Sequence, residues 1–321
     1  MPYRLNDTSD YHRHDMDSLG WELTVCNMLE PVVSPVRDIL MKNGTFGNLL
    51  MDYMEKHAPL QRVKNVLEVG GGYGFLMRDI IDRLRPEGVT MMDISPFLLD
   101  KQREYLSPKT ELVPSGVNFI ESDFFAVGND FLEKFDLAVF NENIGDFPTV
   151  CDIDPQIFQR DVSGFSDDPI MAEIGEMFET YGFIKPRERF NFNLGAVRAL
   201  ERLCKSGVPV IYMSEHSCEA AAPAWLSERI SIAPVENPER ISLKGHDEYT
   251  IRFSHLEKIG RHFGYGVVRN QYIDFIGINY SEKINFILTS HSTKDDHEII
   301  RHFIEDLVKY ESLVLVREGE G

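Results

Sequence analysis

The sequence predicts an α/β fold: a Rossmann-like, mostly parallel sheet preceded by amino-terminal helices and interrupted by a helical insertion. Three observations predict it. Short apolar or β-branched runs alternate with helix-spaced runs about every 20 to 30 residues from residue 63 onward, which is the pattern of βαβ units. The first of these runs ends in the glycine-rich turn Gly70-Gly71-Gly72-Tyr73-Gly74 and leads straight into a helical segment. Acidic and polar side chains recur just after the runs, where open α/β sheets bind their ligands.

Residues 1–60 begin polar and mixed in charge and turn apolar from Leu29 onward. Phe46, Leu49, Leu50 and Tyr53 fall on one helical stripe. This segment is expected to form a helical cap over the main domain, residues 61–321. VKNVLEVG (63–70) predicts the first strand and RDIIDRLR (78–85) the helix after it. VTMMDIS (89–95) is a second strand before the helical PFLLDKQREYL (96–106). VNFIESD (117–123) is a third, followed by a helix near FAVGNDFLEKF (125–135), and DLAVFNEN (136–143) is a fourth. VPVIYMSEHS (208–217) continues the series. GYGVVRNQYIDFIGINY (264–280) and KINFILTS (283–290) are expected to pair as an antiparallel hairpin at one edge. The acidic, Pro- and Gly-punctuated stretch of about 151–190 breaks the alternation and reads as the helical insertion.

Composition narrows the function classes. With 321 residues, 43% of them hydrophobic, the chain needs neither metal nor disulfides to build a core. Cys26, Cys151, Cys204 and Cys218 are scattered, with no C-x-x-C pair and no zinc spacing, so reduced thiols in a cytoplasmic protein and no metal site are expected. No apolar stretch reaches the roughly 18 residues needed to span a bilayer, so no membrane insertion is expected. Thirty-three basic residues against 52 acidic ones give a net charge of −19. Such a field repels polyanions and argues against a nucleic-acid partner, while favouring a cationic substrate.

The chemistry sits at the strand ends. Glycines after the first strand let the backbone turn tightly and leave no side chain against a ligand. A dinucleotide calls for G-x-G-x-x-G, but here the spacing is G-x-G-x-G with Glu68 two residues earlier. That acid suits a ligand carrying an amino group and no phosphate, such as S-adenosylmethionine. Asp93, at the end of the second strand, can accept ribose hydroxyls or cap the helix at Pro96, where Ser95 competes. Asp123 can accept from an adenine amino group, with Phe124 or Phe125 on the ring, or act as a plain helix cap. In Asn141-Glu142-Asn143-Ile144-Gly145-Asp146-Phe147-Pro148, a dense polar cluster follows four apolar residues. Glu142 and Asp146 could hold a cationic nucleophile and take its proton, or cap the next helix. His216 lies just past a strand end and reads as a base, a substrate contact or a satisfied structural histidine.

Together these strand ends resemble the class I methyltransferases dependent on S-adenosylmethionine. LEVGGGYGFLMRDI (67–80), MDISPFLLDKQREYL (92–106) and NENIGDFP (141–148) are similar to the MidA family, whose mitochondrial members assist assembly of respiratory complex I. The resemblance covers about residues 35–278. Three departures stand out. Gly145 occupies the place of the family loop's Asp, with Asp146 one position late. Ser214-Glu215-His216-Ser217 replaces Asp-Tyr-Gly-His, and the family's Gly-Tyr-Tyr signature has no counterpart. The resemblance implies a cofactor site of Glu68, Gly70, Gly72, Gly74, Asp93, Ile94, Asp123, Phe124 and Asn141. Asn141, Glu142 and Asp146 are the implied catalytic residues. The acceptor it implies is a protein side chain, with arginine the one taken by the mitochondrial members. A small-molecule acceptor and a non-catalytic, cofactor-binding assembly factor are the alternatives. A homodimer through the amino-terminal helices is compatible with this layout.

Overall fold

The computed structural model describes residues 3–14, 24–159, 168–290 and 293–319. Residues 15–23 of the amino-terminal segment and 160–167 of the expected insertion lie outside the described residues. The strands are β1 (Arg4–Asn6), β2 (Asn65–Val69), β3 (Gly88–Asp93), β4 (Val117–Glu121) and β5 (Leu137–Asn141). They continue with β6 (Thr149–Ile153), β7 (Phe190–Phe192), β8 (Val210–His216), β9 (Arg240–Ser242) and β10 (Asp247–Tyr249). The last two are β11 (Tyr265–Gln271) and β12 (Tyr310–Arg317).

Seven of these form one sheet in the order β11-β12-β8-β5-β2-β3-β4, in which β12 alone runs against its neighbours. This is the Rossmann-like architecture the sequence predicts. Strand side chains alternate between faces, and the alternation divides the core. Val66, Val89, Met91, Leu137, Val139, Val210 and Tyr212 pack into one buried cluster, against helices including Phe46–Met54 and Asp295–Lys309. Leu67, Met92, Ala138, Phe140, Ile211 and Met213 pack into the other, against helices Pro169–Tyr181, Leu194–Lys205 and Phe253–His262. The predicted stripe of Phe46, Leu49, Leu50 and Tyr53 is buried, with Thr45 accepting from Asn48 N to cap the helix. Each such side chain contributes about 1.5–3 kcal/mol by leaving water.

Strand order reverses between β2 and β5. The carboxyl ends of these two strands therefore open a crevice, the usual ligand position in doubly wound sheets.

The edge pairing differs from expectation. KINFILTS is not a strand but part of the helix Glu282–Thr289, capped by Ser281, with Ile284, Ile287 and Leu288 buried. Those positions repeat at i, i+3, i+4, the spacing of one helix face. The antiparallel partner of β11 is instead β12, from Glu311 opposite Gln271 through to Arg317 opposite Tyr265.

The 151–190 segment is not helical throughout. Its helix Pro169–Tyr181 lies between β6 and β7, which pair with each other, and β6 also pairs with β1. The amino-terminal segment likewise begins with a strand. Because β1 is held to β6, the helix Ser9–His14 that follows is carried across the carboxyl ends of the central strands.

Candidate active site

A cavity of about 370 Å³ opens at the ends of β2, β3, β4, β5 and β8. Its floor begins with the glycine turn. Gly70 and Gly72 adopt φ of 62° and 53°, left-handed values that side chains resist. A Cβ on Gly70 would stand 2.5 Å from Asn143 Nδ2, which donates to the Val69 carbonyl across the switch point. Gly70, Gly72 and Asn143 line the cavity. Gly74 does not; it caps the helix Phe75–Leu84 and packs on Leu106. Glu68 is also off the wall. Its carboxyl is buried close beneath Gly71, with Oε2 unpartnered, and burial followed by the nearby Asp93 charge pushes it up to about 8.

Asp93 lines the cavity with both oxygens engaged from behind. Oδ1 accepts from Ser95 N at 2.9 Å and Oδ2 from Gln102 Nε2 at 3.0 Å. Gln102 Nε2 also donates to the Gly72 carbonyl at 3.0 Å, so one side chain ties the glycine turn to the acid. Burial raises Asp93 to about 6 against those donors. Ser95 itself caps the helix Pro96–Leu106. Ile94, Asp123, Phe124 and Phe125 complete this side, and Asp123 also accepts from Phe125 N at 2.8 Å.

The β5 loop supplies the opposite wall. Glu142 has φ of 54°, unusual for a residue with a side chain, and lines the cavity while its Oε1 has no partner. Burial pushes its carboxyl up to about 8. Asn141 is not on the wall; its Oδ1 accepts from Ser214 Oγ at 3.1 Å and Tyr272 Oη at 3.2 Å. Gly145 donates its N–H to Glu215 Oε2 at 3.1 Å, and a Cβ there would press on the Tyr249 carbonyl, also at 3.1 Å. Close approach therefore favours glycine at the position where the resembled family has Asp.

Asp146 lies in the roof. Its Oδ1 is 2.8 Å from His12 Nε2 and 3.4 Å from His246 Nε2, and His246 Nε2 is 3.4 Å from Glu248 Oε1. Burial opposes both charges, but the two imidazoles pull Asp146 down to about 2, while Asp146 and Glu248 lift His246 to about 10. Tyr11 stacks on His246 at 4.2 Å, joining the Ser9–His14 helix to the β9–β10 hairpin. His216 lines the cavity and packs on Tyr310 at 3.8 Å.

Among the described residues, eight carboxyl groups line this cavity (Asp7, Asp93, Asp123, Glu142, Asp146, Glu215, Glu248 and Asp306), with three imidazoles and neither Lys nor Arg. The fold thus brings Gly70, Gly72, Asp93, Ile94, Asp123, Phe124, Glu142 and Asp146 to one space. Sequence reasoning missed Gln102 as the tie behind Asp93, and His12, Glu215, His246 and Glu248 in the walls. Gln102 carried a signal, its place nine residues beyond Asp93 on the helix that follows the strand, and Glu215 stands beside His216 at a strand end. His12, His246 and Glu248 are distant from the strand ends in the chain and carried none.

No protein-family model matches the chain. A stretch of 92 residues is 39% identical to 2-methyl-6-phytyl-1,4-hydroquinone methyltransferase 2, chloroplastic, of Oryza sativa subsp. japonica. That stretch is 28% of this chain and 25% of the rice protein, so the chain spans about a quarter of the curated relative it matches. Among solved structures, a Burkholderia thailandensis methyl transferase candidate bound to S-adenosylhomocysteine is similar at TM-score 0.49 and 13% identity. The likeness covers 86% of this chain and 77% of that one. The glycopeptide N-methyltransferase MtfA, complexed with S-adenosylhomocysteine, is similar at TM-score 0.44 and 13% identity, over 84% of this chain and 90% of its own.

Proposed function

We propose that the chain is an S-adenosylmethionine-dependent methyltransferase acting on a small-molecule acceptor. One observation carries the reading: among the described residues, the switch-point cavity combines two left-handed glycines, a strand-end acid and eight carboxyl groups without Lys or Arg. A pyrophosphate-bearing dinucleotide would meet acceptors where it needs donors. A sulfonium with an ammonium group and ribose hydroxyls offers the charges and donors this lining lacks.

Asp93 would hold the ribose hydroxyls, Gly70 and Gly72 would admit the amino-acid end, and Asp123 with Phe124 would flank the adenine. Glu68, buried beneath Gly71, would support the ammonium end from behind the turn rather than touch it. The cofactor, when bound, supplies a methyl group for direct in-line transfer. The chain's own contribution is then positioning and electrostatics. A cation in the cavity favours the ionised form of Glu142, which stands where it can take the acceptor's proton.

The roof supports a small acceptor. The Ser9–His14 helix and the β9–β10 hairpin meet through Tyr11 and His246 over the cavity, leaving space for a small molecule rather than a folded surface. A second reading, transfer to a protein arginine as in the MidA family, draws on the acidic lining, which also suits a guanidinium. Calorimetric titration with S-adenosylhomocysteine, with NADH as control, tests the cofactor. Micromolar-range binding (about −8 kcal/mol) weakened in Asp93→Ala is expected. Binding of NADH alone, or of neither, would refute it. Label transferred from methyl-labelled cofactor to the low-molecular-weight fraction of an extract supports the first acceptor class; label in protein supports the second.

A further inference from the structure

Spacing along the chain gives no metal-ligand set, yet the fold gathers three donors from distant segments. His12, Asp146 and His246 each offer a ligand atom, and these atoms lie within 4.8 Å of one another. His12 comes from the amino-terminal helix, Asp146 from the β5 loop, and His246 from the β9–β10 turn.

We propose that His12, Asp146 and His246 form a binding site for a divalent first-row transition-metal cation in the roof of the cavity. Two imidazole nitrogens with one carboxylate oxygen is a donor set suited to such ions, and it leaves coordination positions open. Ligands about 2.0–2.2 Å from one ion stand roughly 3 Å apart from each other. Two separations here fit that scale: 2.8 Å from His12 Nε2 to Asp146 Oδ1 and 3.4 Å from His246 Nε2 to the same oxygen.

One further observation points to an ion. Among the described residues the site opens on a cavity with eight carboxyl groups, three imidazoles and neither Lys nor Arg, an acidic setting that favours a dication. Two of the donors are held from outside. Tyr11 stacks on the His246 ring, and Thr8 Oγ1 donates to the Asp146 carbonyl at 2.8 Å. All three donor residues line the cavity, so an acceptor oxygen bound there could occupy an open position on the ion. That role rests on the methyl-transfer reading, whereas the cation site itself does not.

The test therefore uses no cofactor. Full-length protein, stripped with chelator, is titrated with Mn²⁺, and the loaded protein is examined by pulsed electron paramagnetic resonance. One ion per chain, with couplings from two imidazole nitrogens, is the expected result. No binding of Mn²⁺ or Zn²⁺, or a bound Mn²⁺ without imidazole couplings, would overturn the proposal. His246→Gln should weaken binding at least tenfold, while Asp93→Ala, aimed at the cofactor pocket, should leave it unchanged. Undiminished binding in His246→Gln would place the ion elsewhere. If Mn²⁺ binds but S-adenosylhomocysteine does not, the cation site stands and the cofactor assignment falls; the reverse result sinks the cation site alone.

Discussion

The Glu142→Gln substitution tests the central electrostatic feature of the cavity. In the folded chain the Glu142 carboxyl is buried and titrates near 8, against an ordinary value of 4.5. Between those two pH values the folded state keeps a proton that the unfolded state has released. Stability contributed by this group must therefore fall as pH rises from about 4.5 to about 8, the opposite of a salt-bridged carboxylate. At about 1.4 kcal/mol per pH unit, the full span amounts to about 5 kcal/mol. Relaxation and water entry reduce such figures, so about 2–5 kcal/mol is the expected range. Glutamine has the same shape and does not titrate. Urea unfolding at pH 5, 6, 7 and 8 should show the wild type losing stability relative to Glu142→Gln as pH rises. Glu68, also near 8, tilts both proteins equally and cancels in the difference. Parallel curves across that range would refute the placement of a buried, proton-holding carboxyl at 142. If Glu142 also takes the acceptor's proton, the variant should keep cofactor affinity and lose methyl transfer about 10²-fold or more.

Three other substitutions separate site from scaffold. Gly70→Ala meets both a left-handed φ of 62° and Asn143 Nδ2 at 2.5 Å, so a loss of about 1–3 kcal/mol is expected by thermal unfolding. Gln102→Met removes the tie from Asp93 to the Gly72 carbonyl; S-adenosylhomocysteine affinity should drop about tenfold in calorimetry, with the helix Pro96–Leu106 intact by circular dichroism. Asn141→Ala strands the Ser214 and Tyr272 hydroxyls and should cost about 1–3 kcal/mol in urea unfolding, while S-adenosylhomocysteine affinity stays within about twofold. A large affinity loss there would return Asn141 to the binding site.

The glycine-turn side of the cavity was legible because its signals are local. The glycine turn, Asp93 and Asp123 each follow directly from a strand, so strand prediction locates them. Asn141 misled for the same reason. It ends β5, but its carbonyl oxygen meets Ser214 and Tyr272 from other elements, and Asn143 two residues later reaches the glycine turn. The run KINFILTS misled because eight residues, half of them apolar, fit strand or helix by periodicity alone. Packing of Ile284, Ile287 and Leu288 selects the helix, while the strand role passes to Tyr310–Arg317.

What the sequence determined alone is the alternating core of the central sheet and the acids and glycines at its strand ends. Both arise from patterns within a few residues, period 2 in strands and the backbone demands of a tight turn. The tertiary structure decided the roof. His12, Asp146 and His246 approach one another only because β1 pairs with β6 and the β9–β10 hairpin reaches the Ser9–His14 helix. Contacts between residues a hundred or more positions apart leave no periodic trace in the chain, so the charge that gathers there belongs to the fold.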